Sequence, residues 1–162
     1  MWRTVVLPLL LLLGGLALPQ AIRNPKLSQE DLAAATSVSK ESGGADAELI
    51  YVNRIDAVEK GNFDSLVVVY AKAVEGGKDY FALVARGGQN YPLKFDQQGR
   101  ALGRGDQFLK IGLRHGEGHP PLLRLIGLAS DPNSTGKQRN VDFQFSNGQF
   151  VLTAQSLVTP AQ

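Results

Sequence analysis

Val141-Asp142-Phe143-Gln144-Phe145-Ser146-Asn147-Gly148-Gln149-Phe150-Val151-Leu152-Thr153-Ala154-Gln155 is the stretch whose reading decides the fold of this chain. Apolar and polar residues alternate from 141 to 145, the period of a strand with one buried face. Asn147-Gly148 follows, and both residue types accept the positive φ that a two-residue type I′ turn demands. The stretch therefore predicts a hairpin in which residues 141–145 pair antiparallel with residues 150–155.

Upstream, the same alternation recurs in Tyr91-Pro92-Leu93-Lys94-Phe95 and in Leu109-Lys110-Ile111-Gly112-Leu113. Both read as strands with one buried face. Residues 66–70 and 80–85 are apolar without alternation, which predicts central strands covered on both faces. Glu75-Gly76-Gly77-Lys78, Arg86-Gly87-Gly88-Gln89 and Gln97-Gln98-Gly99-Arg100 are short glycine-bearing turns between such runs. Residues 48–58 read as a further strand because Ile50, Val52 and Ile55 are β-branched. A helix stopped by Lys60-Gly61 is the alternative there. The predicted fold is all-β, a single antiparallel β-sandwich or barrel built as a meander of about eight strands over residues 48–158, with 159–162 as a tail.

The N-terminus reads differently. Arg3 precedes an apolar, leucine-rich run over residues 5–18, followed by small residues suited to cleavage after Ala17 or Ala21. This is the pattern of an export signal. The 14-residue run is shorter than the roughly 20 residues needed to span a bilayer, so residues 1–21 are expected to be removed. No later stretch is long and apolar enough for a transmembrane helix. Residues 22–47 are expected to form a linker with a possible short helix, because Leu27-Ser28-Gln29-Glu30-Asp31-Leu32 carries a capping box and a Leu27–Leu32 staple.

Composition narrows the function. The chain has no cysteine, which excludes a disulfide framework, thiol catalysis and thiolate zinc sites. In an exported protein that absence leans toward a bacterial periplasm or medium. Residues 23–85 hold seven basic and ten acidic side chains and residues 86–139 nine and four. The basic residues are spaced singly among apolar ones, so nucleic acid is not an expected partner.

Two loops carry candidate chemistry. His115, Glu117 and His119 place both histidines of the chain around one carboxylate, a ligand set for zinc, copper or nickel. Gly116, Gly118 and Pro120 rule out the helix that a metalloprotease motif requires. A flexible hairpin loop is the plainer reading of that segment. Asp56, Glu59, Asn62 and Asp64 surround the turn at Gly61, an oxygen-rich set that could hold calcium or form an ordinary solvated turn.

Asp64-Ser65-Leu66 places a serine before a strand, where a nucleophile elbow needs it after one. Arg104-Gly105-Asp106 matches a tripeptide read by some cell-surface receptors, a match that chance turn chemistry also produces. Tyr80, Phe81, Tyr91, Phe95, Phe108, Phe143, Phe145 and Phe150 read as core. Arg124 shares a strand phase with Leu122 and Ile126. A buried Arg124 needs a carboxylate partner or a wet cavity, whereas an exposed one makes Leu122 and Ile126 part of an apolar patch.

No catalytic set converges in this pattern. The leading expectation is an exported, non-enzymatic binding module whose partner is a protein, a glycan or a small apolar ligand. A lipid or small-molecule carrier with a phenylalanine-lined barrel interior is the second, and a metal-dependent hydrolase at the His115-Glu117-His119 loop is the third.

Overall fold

The computed structural model of the chain describes residues 27–160, so the expected export signal lies outside the described residues. Among the described residues one helix, α1 (Gln29–Gly43), precedes eight strands: β1 (Glu48–Ile55), β2 (Ser65–Val74), β3 (Gly77–Arg86), β4 (Gln89–Pro92), β5 (Gln107–Arg114), β6 (Leu122–Leu128), β7 (Gln138–Ser146) and β8 (Gln149–Val158). They form two antiparallel four-stranded sheets, each a meander in chain order, β1-β2-β3-β4 and β5-β6-β7-β8. The sheets face each other as a sandwich and stay open. The barrel alternative is thereby corrected, because among the described residues no strand pairing joins one sheet to the other.

The deciding hairpin forms as read. Asn147 and Gly148 adopt φ of 51° and 78°, and β7 and β8 pair from Ser146↔Gln149 out to Gln138↔Val158. Of residues 48–58, Glu48–Ile55 form the strand, since β1 pairs with β2 along its length, and residues 56–58 already lie in the following turn.

The first core lies between the sheets. Val67, Val69, Ala82 and Val84 of the first sheet meet Leu123, Leu125, Val141, Phe143 and Phe150 of the second, with Phe95, Phe108 and Phe145 packed against them. Leu66, Val68, Tyr70 and Leu83, on the opposite phase of β2 and β3, pack with Ala35 of α1 in a second core. The helix, seated on β1 and β2, thus covers the outer face of β2 and reaches Leu83 of β3, which accounts for the second buried face of those apolar runs.

The cap on α1 forms as read, with Asp31 N–H donating to Ser28 Oγ at 3.0 Å and Ser28 N–H to Asp31 Oδ2 at 3.1 Å. The helix runs through Gly43, so most of the segment expected to be a linker with a possible short helix is helical. Small side chains let it sit close to the sheet. At Gly43 a Cβ would come within 2.6 Å of both Ala47 Cβ and the Tyr70 ring, so no larger residue fits between the helix end and β2.

Asp31 also pairs with Arg54 of β1, tying the helix to the sheet. Burial pushes the Asp31 carboxyl up, but hydrogen bonds from Arg54 and the Ser28 backbone outweigh it and hold the pKa below its ordinary value. A carboxylate with a depressed native pKa contributes stability above its unfolded pKa of about 3.9, and loses that contribution as pH falls toward the native value. In melts from pH 7 to pH 2, the deficit of Asp31→Asn relative to the parent is expected to be full at neutral pH and to shrink below about pH 4. A deficit unchanged at pH 2 would refute the assignment.

One strand is shorter than read. The alternation in residues 91–95 suggests a strand through Phe95, yet β4 ends at Pro92. Leu93 N–H still donates to Ala82 O at 2.8 Å, after which the chain turns, with Gly99 N–H donating to Asp96 O at 3.0 Å. Arg100 locks this turn by donating to Asp96 at 2.6 Å and Asp79 at 3.2 Å. Leu93 and Phe95 are apolar because the crossing to the second sheet is itself core. The turn at Gly99 is a bend in that crossing and joins no two strands.

Candidate functional site

The two loops singled out for metal chemistry meet at one contact. Asp56 follows β1 with its side chain only 7% exposed, and it accepts from Gly61 N–H at 2.7 Å and lies 3.5 Å from His115 Nε2. Each partner belongs to a different candidate set. Asp64 is engaged elsewhere, accepting from Arg86 Nε at 2.8 Å and from Ser65 Oγ at 3.0 Å. Glu59 and Asn62 form a backbone turn, Asn62 N–H donating to Glu59 O at 3.0 Å. Glu117 and His119 are exposed in the β5–β6 loop. Among the described residues no three histidine or acidic side chains come together as a metal ligand set. The Asp56–His115 contact joins the end of β1 to the end of β5 and so ties one sheet to the other.

Arg104-Gly105-Asp106 is not presented to a receptor. Asp106 is 1% exposed, and its carboxylate accepts from Gly103 N–H and Ser130 N–H, each at 3.0 Å, and from Arg139 Nε at 2.5 Å. Arg124 has the carboxylate partner that burial requires. It stands opposite Asp142 in the β6–β7 register and donates to it twice, at 2.6 and 2.7 Å. Those bonds to Asp142 hold the guanidinium pKa above its ordinary value. The pair fills the centre of the outer face of the second sheet, between Leu122 and Ile126.

A cleft of about 370 Å³ separates α1 from the β3–β4 turn, and its charged walls are Asp31, Glu41, Arg54, Asp64 and Arg86. Arg54 is paired with Asp31 and Arg86 with Asp64, over a floor that includes Val38 and Leu66. The first pair ties the helix to β1, and the second ties the start of β2 to the end of β3.

The sheet edges distinguish one surface from the rest. An unpaired edge strand is a template for another chain, and proteins blunt such edges with charge, proline, bulges or short length. β1 carries Glu48 and Arg54 and a bulge at Ile50. β5 carries Lys110 and Arg114 and a bulge at Leu109. β4 is four residues long and ends in Pro92.

β8 is different: it runs ten residues, Gln-Phe-Val-Leu-Thr-Ala-Gln-Ser-Leu-Val, without a charge or a proline. Its single irregularity is an extra residue at Thr153, whose Oγ1 donates to Asp142 O at 3.2 Å. Every residue from Leu152 to Val158 is exposed, including Leu152 at 40% and Leu157 at 41%.

The reason lies in β4. The two sheets border each other on this flank through β4 and the start of β8. Four residues of β4 cover only the beginning of a ten-residue strand, where Tyr91 packs edge-on against Phe145 and Phe150. Leu152 stands opposite the buried Phe143 and Leu157 opposite Arg139, so both lie on the inward phase with no strand of the other sheet across from them. Where cover stops, a notch of about 120 Å³ opens, lined by Tyr91, Pro92, Lys94, Gln149 and Phe150.

Sequence reasoning did not single out this flank, because its signal is an absence. Residues 149–159 contain no charged side chain, and that uncharged strand beside a proline-shortened one was there to be noticed. Comparison with known protein families, with curated proteins and with solved structures finds no match.

Proposed function

We propose that this chain is an exported, non-enzymatic binding module that captures an extended segment of another protein by adding it as a strand to the free edge of β8. The observation that carries the reading is that β8 is long, uncharged and uncovered, while the other three edges are charged or cut short. In strand addition the backbone of the edge supplies the hydrogen bonds and pockets beside it supply selectivity. Such a surface needs no catalytic residue, in keeping with the scattered, internally paired charges elsewhere. Export rests on the charged start and apolar run of residues 1–18. No helix among the described residues is long and apolar enough to cross a membrane.

The test is selection of binders from a library of displayed extended peptides, followed by amide hydrogen exchange of the complex. Binders should protect amides of β8. Replacing Leu152 and Leu157 together with lysine should weaken binding at least tenfold. Both positions keep about 40% of their surface in water, so each change should cost only about 1 kcal/mol. Protection confined to other strands would overturn the reading, as would an enzymatic turnover abolished by changing His115 or Glu117.

A further inference from the structure

The notch at the start of β8 defines what the captured segment must carry. It lies between the edge strands β4 and β8, on the flank along which an added strand would run. Three of its five walls are Tyr91, Pro92 and Phe150, and aromatic walls around a small apolar recess are the usual anchor of a protein interface. Cavities of about 150 Å³ accept a benzene ring, so 120 Å³ suits one branched aliphatic side chain. The aromatic walls are rigid: Tyr91, Phe145 and Phe150 interlock edge-to-face with centroids 5.2 to 6.4 Å apart, and the Tyr91 hydroxyl donates to Gln89 Oε1 at 2.7 Å. The recess is therefore formed before a ligand arrives.

The fourth wall supplies charge. Lys94 is exposed at the rim and, among the described residues, has no carboxylate within ion-pair distance. An uncharged edge with an unpaired cation beside its first residues complements an extended chain that is itself neutral but carries a negative charge next to the residue seated in the notch.

Resting on the strand-capture reading, we infer that the partner segment presents a branched aliphatic residue to the Tyr91–Pro92–Phe150 notch and a carboxylate beside it to Lys94. The carboxylate is either the C-terminus of the segment or an Asp or Glu side chain next to the anchor. One shared chemistry serves both sources, an apolar side chain within a residue of a negative charge.

The experiment uses the full mature chain and four fluorescent decapeptides of alternating Thr and Ser, read by anisotropy at low salt and by hydrogen exchange at β8. The first ends in Leu with a free carboxylate, the second is its amide, the third is an amide with Glu after the Leu, and the fourth ends in Ala with a free carboxylate. The free-acid Leu peptide, the Leu-Glu amide, or both should bind at least tenfold more tightly than the plain amide and the Ala peptide. Which of the two binds identifies the source of the carboxylate. Lys94→Gln should erase the preference for the carboxylate while leaving protection of β8 in place. If all four peptides protect β8 with equal affinity, the anchor is overturned and strand capture stands. If none protects β8 at millimolar concentration, both are overturned.

Discussion

Replacing Asp106 by alanine should remove about 3–5 kcal/mol of stability, the range for breaking a buried ion pair by deleting one partner. The carboxylate is the hub where three chain segments meet, since Gly103 and Ser130 donate their backbone N–H groups to it and Arg139 its Nε. Deleting it strands two donors and leaves Arg139, with its side chain only 15% exposed, without an anion against the Phe95 ring. Each loss is of the costly kind, an unmet buried polar group. A domain of this size has about 5–15 kcal/mol in total, so the variant should unfold at much lower urea concentration. The double variant Asp106→Ala with Arg139→Met should recover part of the loss, because it removes the orphaned charge as well. A loss under about 1 kcal/mol in the single variant would contradict the geometry.

Local chemistry made much of this fold legible before any coordinates. Asn147-Gly148 announced its hairpin because few residue types accept the φ values it needs. The unbroken apolar runs of β2 and β3 announced cover on both faces, although not what provides it. The helix that provides it was only half readable, because it grips the sheet through Ala35, Gly43 and a long-range Asp31–Arg54 pair, and its face is written in small residues rather than large apolar ones. Arg124 shows how far a single strand phase can be taken, since it required a partner without identifying Asp142 on the next strand.

Site chemistry was less legible, for a physical reason. Asp56, Asp64, His115 and Asp106 are the residue types that bind metals or receptors, but three-dimensional pairing decides their use. Here Gly61, Arg86 and Arg139 occupy the three carboxylates, and His115 closes on Asp56. The β8 edge offers no diagnostic residue at all. Its candidacy arises from topology, in that β4 stops at Pro92 while β8 continues.

That topological claim can be tested across one cross-strand pair. Phe143 and Leu152 stand opposite each other on β7 and β8, so their side chains share the inward face. Phe143 is fully buried and belongs to the core between the sheets, whereas Leu152 is 40% exposed. Phe143→Ala should cost about 3–5 kcal/mol through lost transfer energy and the cavity left behind. Leu152→Ala should cost less, about 1 kcal/mol, because 40% of its surface already lies in water and an edge site closes up without leaving a cavity. Urea unfolding of the two variants measures how abruptly cover ends between adjacent strands of one sheet. If Leu152→Ala were as damaging as Phe143→Ala, the inward face of β8 would have to be covered at Leu152 in solution, and that side chain could not contribute to capturing a partner. A steep difference keeps the edge open, and the same Leu152 would then matter for binding while mattering little for folding.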